Sequence, residues 1–286
     1  MSLSRIAIAL VTSASLAVSA CTAPAEAPGN TPAANTPAAE SAVLSEPGRQ
    51  LSALAPENIT KARPAAPFDL TGNWFIDVTE NPNAWRFGPP YPKLTAAAQV
   101  HFDASQVAAK EGKVYRDDIG QCWPAGLPLI MTRYWPMAMI QIPTAIYMVS
   151  GFMNSLRIVY LDGRSHTDPD IIVRTFNGES IGRWEGDTLV VESIGFNEKT
   201  WLGAQGQPHS DQMRTIERYR RVDPNTIEFN LIIDDPKTYT KTWNAEPRLI
   251  KRRPGVEILE SFCVASEEEE FNRRIRQPAA QQPGKD

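Results

Sequence analysis

The sequence predicts a mostly β protein whose strands run as an antiparallel meander and close, or nearly close, into a barrel. Three observations carry that expectation. About nine to eleven short strand-like runs are separated by turns rich in Gly, Pro, Asp and Asn. The later runs alternate cleanly: Ile227, Phe229, Leu231 and Ile233 share one face of a strand. Only one segment, early in the folded region, has the composition of a long helix, so one N-terminal helix packed on the sheet is expected. Closure removes exposed strand edges, which favours a barrel over an open sheet. A two-sheet sandwich is the alternative arrangement of the same strands.

The 286-residue chain opens with segments that stand outside this fold. Residues 1–5 end in Arg5, and residues 6–18 form an apolar run too short for a stable membrane span, the pattern of an export signal over residues 1–20. Val18-Ser19-Ala20-Cys21 resembles the lipobox of bacterial lipoproteins. The resemblance implies that Cys21 becomes the lipidated N-terminus, and Thr22 in place of an aspartate implies sorting to the periplasmic face of the outer membrane. From Cys21 to Pro67 the chain is Ala, Pro, Thr, Glu and Asn with few large apolar residues, so a disordered tether is expected. Residues 68–265 fit one domain by size. The stretch 266–286, with Glu267 to Glu270 near its start, is expected to be a polar tail.

Net charge is -4 and the basic residues are interleaved with acids, so no basic face is available for nucleic acid. Membrane contact is expected through the lipid anchor alone. Apart from Cys21 there are only Cys122 and Cys263. In an oxidising compartment such a pair is expected to form a disulfide, worth about 4–5 kcal/mol in the chain-entropy account.

Within the domain, Gly72-Asn73-Trp74 opens a first strand over residues 74–78. A Pro- and aromatic-rich loop with Trp85, Phe87 and Tyr91 follows. Thr95 is a natural N-cap, the Ala-rich run to Ala109 favours helix, and Gly112 is a stop. Leu94, Ala98 and Phe102 form its apolar stripe. Strands are expected at 137–142, 145–149 and 155–161, in a region where methionines and aromatics interleave, either as core or as an adaptable ligand wall. The pair 181–184 and 188–194 flanks Glu185-Gly186-Asp187, where glycine supplies the positive φ of a tight hairpin. Later strands are expected at 213–222, 227–233, 240–245 and 257–262.

Five pieces of sequence carry a resemblance to a known family: S-I-G-R-W-E-G-D-T-L-V-V from Ser180, G-F-N-E-K-T-W-L from Gly195, P-H-S-D from Pro208, E-R-Y-R-R-V-D from Glu217, and D-D-P-K-T-Y-T-K from Asp234. Together they resemble a family of secreted or lipid-anchored bacterial β-rich proteins without an assigned activity, over residues 68–263. The resemblance implies a fold and no mechanism. Gly72-x-Trp74 is also similar to the lipocalin signature, which implies a lipocalin-like barrel.

The loop after residue 194 gathers Asn197, Trp201, His209, Ser210 and Asp211. Loops held by a β scaffold commonly present sites. His166, beyond the Asp162-Gly163 turn, and His209 lie beside carboxylates that can tune an imidazole for acid–base work. His209, Asp211, His166 and Glu217 are therefore the candidate catalytic groups, in a lyase, isomerase, hydratase or hydrolase reaction. Trp201, Asn197, Arg164, Arg183 and Tyr219 are the candidate substrate contacts. Arg164 and Arg183, with Arg214 and Arg218, could clamp an anion or simply neutralise nearby acids. Trp184 reads as a core anchor, Trp201 as a ligand contact.

No G-x-S-x-G elbow exposes a serine nucleophile. A two-His-one-carboxylate metal site from His166, His209 and Asp211 lacks supporting spacing, so no metal or other cofactor is expected. The place of Glu217 depends on the turn at Pro224. An even loop sets its face against Glu228 and Asn230, whereas a three-residue loop sets it against Ile227, Phe229 and Leu231 and buries it with a raised pKa. The leading expectation is an acid–base enzyme on a small, partly apolar molecule. A non-catalytic carrier and a structural envelope lipoprotein are the competing readings.

Overall fold

A computed structural model of the chain describes residues 50–79, 86–203 and 205–281. Cys21, the signal segment, residues 21–49 of the tether and Trp85 lie outside the described residues. Ten strands form: β1 (Gly72–Ile76), β2 (Met137–Ile142), β3 (Ala145–Ser150), β4 (Leu156–Tyr160), β5 (Glu179–Glu185), β6 (Thr188–Ile194), β7 (Arg214–Asp223), β8 (Thr226–Asp234), β9 (Trp243–Asn244) and β10 (Arg248–Arg252). Neighbours from β1 to β8 pair in order. β10 pairs with both β1 and β8, closing a barrel of nine strands, while β9 adds to the far end of β8.

The barrel is mixed rather than wholly antiparallel. β4 and β5 run parallel, joined by a crossover over residues 161–178. That crossover passes outside the barrel and is stitched to the end of β6 by Thr175 N–H to Gly195 O (3.0 Å) and Asn197 N–H to Thr175 O (2.9 Å). A parallel pair needs such a connection because the chain must return to the starting end of the sheet. The sequence reading also placed its final strand wrongly. Residues 257–262 are not a strand, and Leu259 and Phe262 are 74% and 72% exposed. The closing strand is Arg-Leu-Ile-Lys-Arg at β10, whose inward Arg248 and Ile250 are buried. Its three basic residues mask its apolar alternation.

Helix α2 (Ala96–Lys110) forms where expected, between β1 and β2, with Thr95 Oγ1 accepting from Ala98 N–H. It follows the first strand instead of preceding the sheet. Shorter helices join it: α1 (Pro56–Ile59), α3 (Asp118–Gln121), α4 (Ala265–Phe271) and α5 (Gln277–Gln281). Three of these, α1, α4 and α5, lie at or beyond the expected domain bounds of residues 68 and 265. The segment from Gln50 belongs to the compact unit. Ala53 and Asn58 are buried, Thr144 Oγ1–H donates to Ala53 O (2.6 Å), and Asn58 Nδ2–H donates to Asp162 (2.9 Å). Hydrogen bonds rather than apolar bulk dock this strap, and composition does not report them. Likewise the expected tail carries α4 and α5, with a π-helical turn (Asn272–Arg276) between them. Cys263 is bonded to Cys122 with Cα atoms 5.2 Å apart, and Arg276 pairs with Asp117 at 2.6 Å.

The barrel interior is packed. Trp74, Met139, Met148, Leu189, Val191, Phe229 and Leu231 are all at most 2% exposed. The methionine-rich stretch is core, with Met131 and Met137 also buried.

Candidate functional site

The expected constellation separates into three places. The first is the barrel interior. β7 and β8 meet in a two-residue turn pairing Asp223 with Thr226, then a bulge between Arg221 and Asp223 shifts the register by one residue. Arg221, Tyr219 and Glu217 thus face Ile227, Phe229 and Leu231. Glu217 and Tyr219 are fully buried. Arg157 of β4, unnoticed in the sequence, meets Glu217 through two N–H···O bonds of 2.9 and 3.0 Å. It also donates to Ser180 Oγ (3.0 Å) and Ser193 Oγ (3.1 Å), while Tyr219 O–H donates to Glu217 Oε2 at 2.6 Å. Burial and the Glu217 charge push the Tyr219 phenol well above its usual range. These bonds join the side chains into one connected network inside the barrel.

The second place holds the P-H-S-D loop. His209 is 2% exposed, with Nε2 3.2 Å from Thr200 Oγ1, Nδ1 3.3 Å from Ser210 O, and Phe196 edge-on to the ring. Burial holds its imidazole below the ordinary histidine range. Ser210 donates through N–H and O–H to Asp235 (2.7 and 2.6 Å), and Tyr239 O–H donates to Pro208 O (2.9 Å). The P-H-S-D piece and the D-D-P-K-T-Y-T-K piece therefore clasp each other. Asp211 turns outward to Lys237 (2.7 Å) and Arg174 (3.4 Å). The hydrogen bond from Lys237 holds its carboxyl below the usual range. Asn197 Oδ1 accepts from Lys199 N–H (3.1 Å), and Trp201 lines a separate cleft beside α2.

The third place is the outer wall at β5, where strap and crossover meet. Arg164 holds Asp162 through bonds of 2.8 and 2.6 Å, donates to Leu51 O (3.0 Å) and stacks 3.8 Å from the centre of the Tyr160 ring. Burial would raise the Asp162 carboxyl, but bonds from Arg164 and Asn58 outweigh it and bring the pKa down to about 2. His166 Nδ1 lies 2.9 Å from Glu179 Oε1, and Thr167 donates to both Glu179 oxygens (2.8 and 2.7 Å). Burial opposes ionisation of Glu179, yet these bonds leave its carboxyl below the usual range. A carboxylate on Nδ1 is the arrangement that orients a general base. The other nitrogen is closed off, however: Nε2 is buried without a hydrogen-bond partner, 4.0 Å from Glu192 Oε1, itself held by Arg214 at 2.6 Å. His166 and His209 share no partner. Among the described residues no group of three or more His, Cys, Asp or Glu is placed to hold a metal ion.

Clefts open on both sides of this wall. One, about 610 Å³, runs beneath the crossover and meets Thr167 and Glu179. The other, about 910 Å³, lies between the strap and one end of the barrel. Trp184, Ile142, Pro143 and Leu161 give the latter apolar walls, while Lys61, Arg63 and Arg183 supply charge. Trp184 packs edge-on against Phe68 at 4.9 Å and still lines the cleft, so it borders the cavity as well as anchoring its wall. Gly182 and Gly186 line it too, and Gly186 takes φ +60° in the β5–β6 turn. Arg183 is exposed and pairs with Glu185 at 2.9 Å.

The sequence reading missed Arg157, Glu179, Glu192 and the strap. Glu179 carried a faint signal as the acid just before the S-I-G motif. The strap carried none. No family model matches the chain, and no curated protein matches it.

Proposed function

We propose that this protein is an exported, lipid-anchored binding protein that holds a small, partly apolar anion in the cleft between its strap and its barrel. The observation that carries the reading is the lining: Gly182, Arg183, Trp184 and Gly186, from the longest of the five sequence pieces, sit on the cleft between strap and barrel. Ser180 of the same piece has scaffold work instead, since with Ser193 and Glu217 it accepts from Arg157 in the barrel interior. A cleft of about 910 Å³ suits a drug-sized molecule. Of its two acids, Asp162 is matched by Arg164, whereas Asp69 keeps its charge and accepts from Thr71 N–H. Lys61 and Arg63, with Arg183 sharing Glu185 with Arg218, still leave a net cationic rim over apolar walls, which fits a carboxylate-bearing amphiphile. The lipobox resemblance and the Cys122–Cys263 bond support export to an oxidising compartment.

A binding role is preferred to acid–base catalysis because His166, whose neighbours Thr167 and Glu179 line one of the clefts, has its Nε2 buried 4.0 Å from Glu192 Oε1. Calorimetric titration of the purified protein with medium-chain alkyl carboxylates tests the reading. Saturable heat is expected, lost in Ala65→Trp, which fills the cleft from the exposed strap, and weakened about tenfold in Arg183→Gln. Undiminished binding in Ala65→Trp, or none in the wild type, overturns it.

A further inference from the structure

A third cleft, of about 500 Å³, lies between α2, the loop before α3 and the C-terminal helices. Its walls combine two aromatics, Tyr115 and Trp201, with amide and ionic groups from Gln205, Asp117, Asp118, Arg133 and Arg276. The charges cancel in place. Arg276 meets Asp117 at 2.6 Å, Arg133 grips both oxygens of Asp118, and Lys113 at the edge meets Glu111 at 2.8 Å. A surface whose ions are already matched offers no net attraction to an anion or a cation. It offers fixed, planar forks of donors and acceptors beside aromatic rings. One donor is left over: the Nε–H of Arg133 is buried and has no hydrogen-bond partner.

Vicinal hydroxyls are the chemistry that such a wall recognises, since each hydroxyl donates and accepts at once and a pyranose ring presents an apolar C–H face to an aromatic side chain. We infer that this cleft is a saccharide-binding site, specific for one or two uncharged sugar rings and independent of the strap cleft. Its construction favours a built site over an accidental gap. Trp201 comes from the G-F-N-E-K-T-W-L piece and is held by its bridge to Pro208. The far wall, Arg276 and Ala280, belongs to the C-terminal segment, which the Cys122–Cys263 bond ties beside α3. The contact with α2 is tight: a Cβ on Gly112 would lie 2.6 Å from the Arg276 carbonyl oxygen.

The test is saturation-transfer NMR on the intact protein with cellobiose, maltose and the N-acetylglucosamine disaccharide as separate probes. At least one is expected to bind with a dissociation constant of order 1 mM or tighter, with transfer strongest on ring C–H protons. Ala109→Trp, at an exposed helical position on the cleft wall, should abolish the signal. Arg276→Ala should weaken binding about tenfold. Ala65→Trp should leave it unchanged, which separates this site from the strap cleft. Absence of transfer from all three probes, or binding that survives both Ala109→Trp and Arg276→Ala, overturns the inference.

Discussion

Replacing Glu217 by Gln probes the centre of the barrel most directly. The side chains of Glu217 and Arg157 are 0% and 3% exposed, and two hydrogen bonds join them. The substitution keeps the volume but leaves the Arg157 charge buried without its counter-ion. Breaking a buried pair from one side costs about 3–5 kcal/mol, because the surviving charge keeps its desolvation penalty. For a domain of roughly this size each kcal/mol lowers Tm by about 2–4 °C, so a fall of about 6–20 °C is expected. Thermal unfolding followed by tryptophan fluorescence measures the fall in Tm, and urea unfolding measures the loss in free energy. The triple change Arg157→Met, Glu217→Leu and Tyr219→Phe removes both charges and the hydroxyl that would otherwise lose its acceptor, and should return stability to within about 1–2 kcal/mol of wild type. A loss below about 1 kcal/mol in Glu217→Gln, or a triple variant as unstable as the single one, would refute the assignment of this network as a structural ion pair.

Three further outcomes are expected. Burial depresses the His209 pKa, so the folded state takes up its proton at lower pH than the unfolded chain, whose imidazole titrates near about 6.5. This contribution is fully present above that pH and is lost as pH falls below it, by at most about 1.4 kcal/mol per pH unit; urea midpoints between neutral pH and pH 5 should show the slope, and His209→Gln should flatten it. Opening the 141-residue loop with Cys122→Ser should cost up to about 5 kcal/mol in the entropic account, read as a drop in urea midpoint that reduction of the wild type reproduces. Gly178 sits at φ +65° with a would-be Cβ 2.5 Å from Ile194 O, so Gly178→Ala should destabilise by about 2 kcal/mol or more, whereas Gly163→Ala, with nothing within 4 Å, should cost only the backbone strain of about 1 kcal/mol.

The strands from β2 to β8 were legible because their alternation is a local property. Thr95, Gly112 and Gly186 were legible as punctuation because capping and positive φ depend on a few neighbouring residues. The candidate site was far less so. His209 and Asp211 looked like catalytic neighbours, but their partners Thr200, Lys237 and Arg174 arrive from other parts of the chain and turn them in different directions. The outward turn of one and the burial of the other follow from those partners.

By itself, the sequence determined a mostly β architecture in which a barrel was favoured over a sandwich, the position of α2, the pairing of Cys122 with Cys263 and the common face of Met213, Thr215, Glu217 and Tyr219. These follow from residue period, propensity and a count of cysteines. Only the tertiary structure decided whether that face looked inward, because one bulge beside Arg221 moves the register by a residue and a slip of one exchanges the two sides of a strand. It also decided that Arg157 meets Glu217 across 60 residues, and that the strap and the C-terminal helices build the clefts. Those contacts join segments far apart along the chain, and no local pattern encodes a partner at that distance.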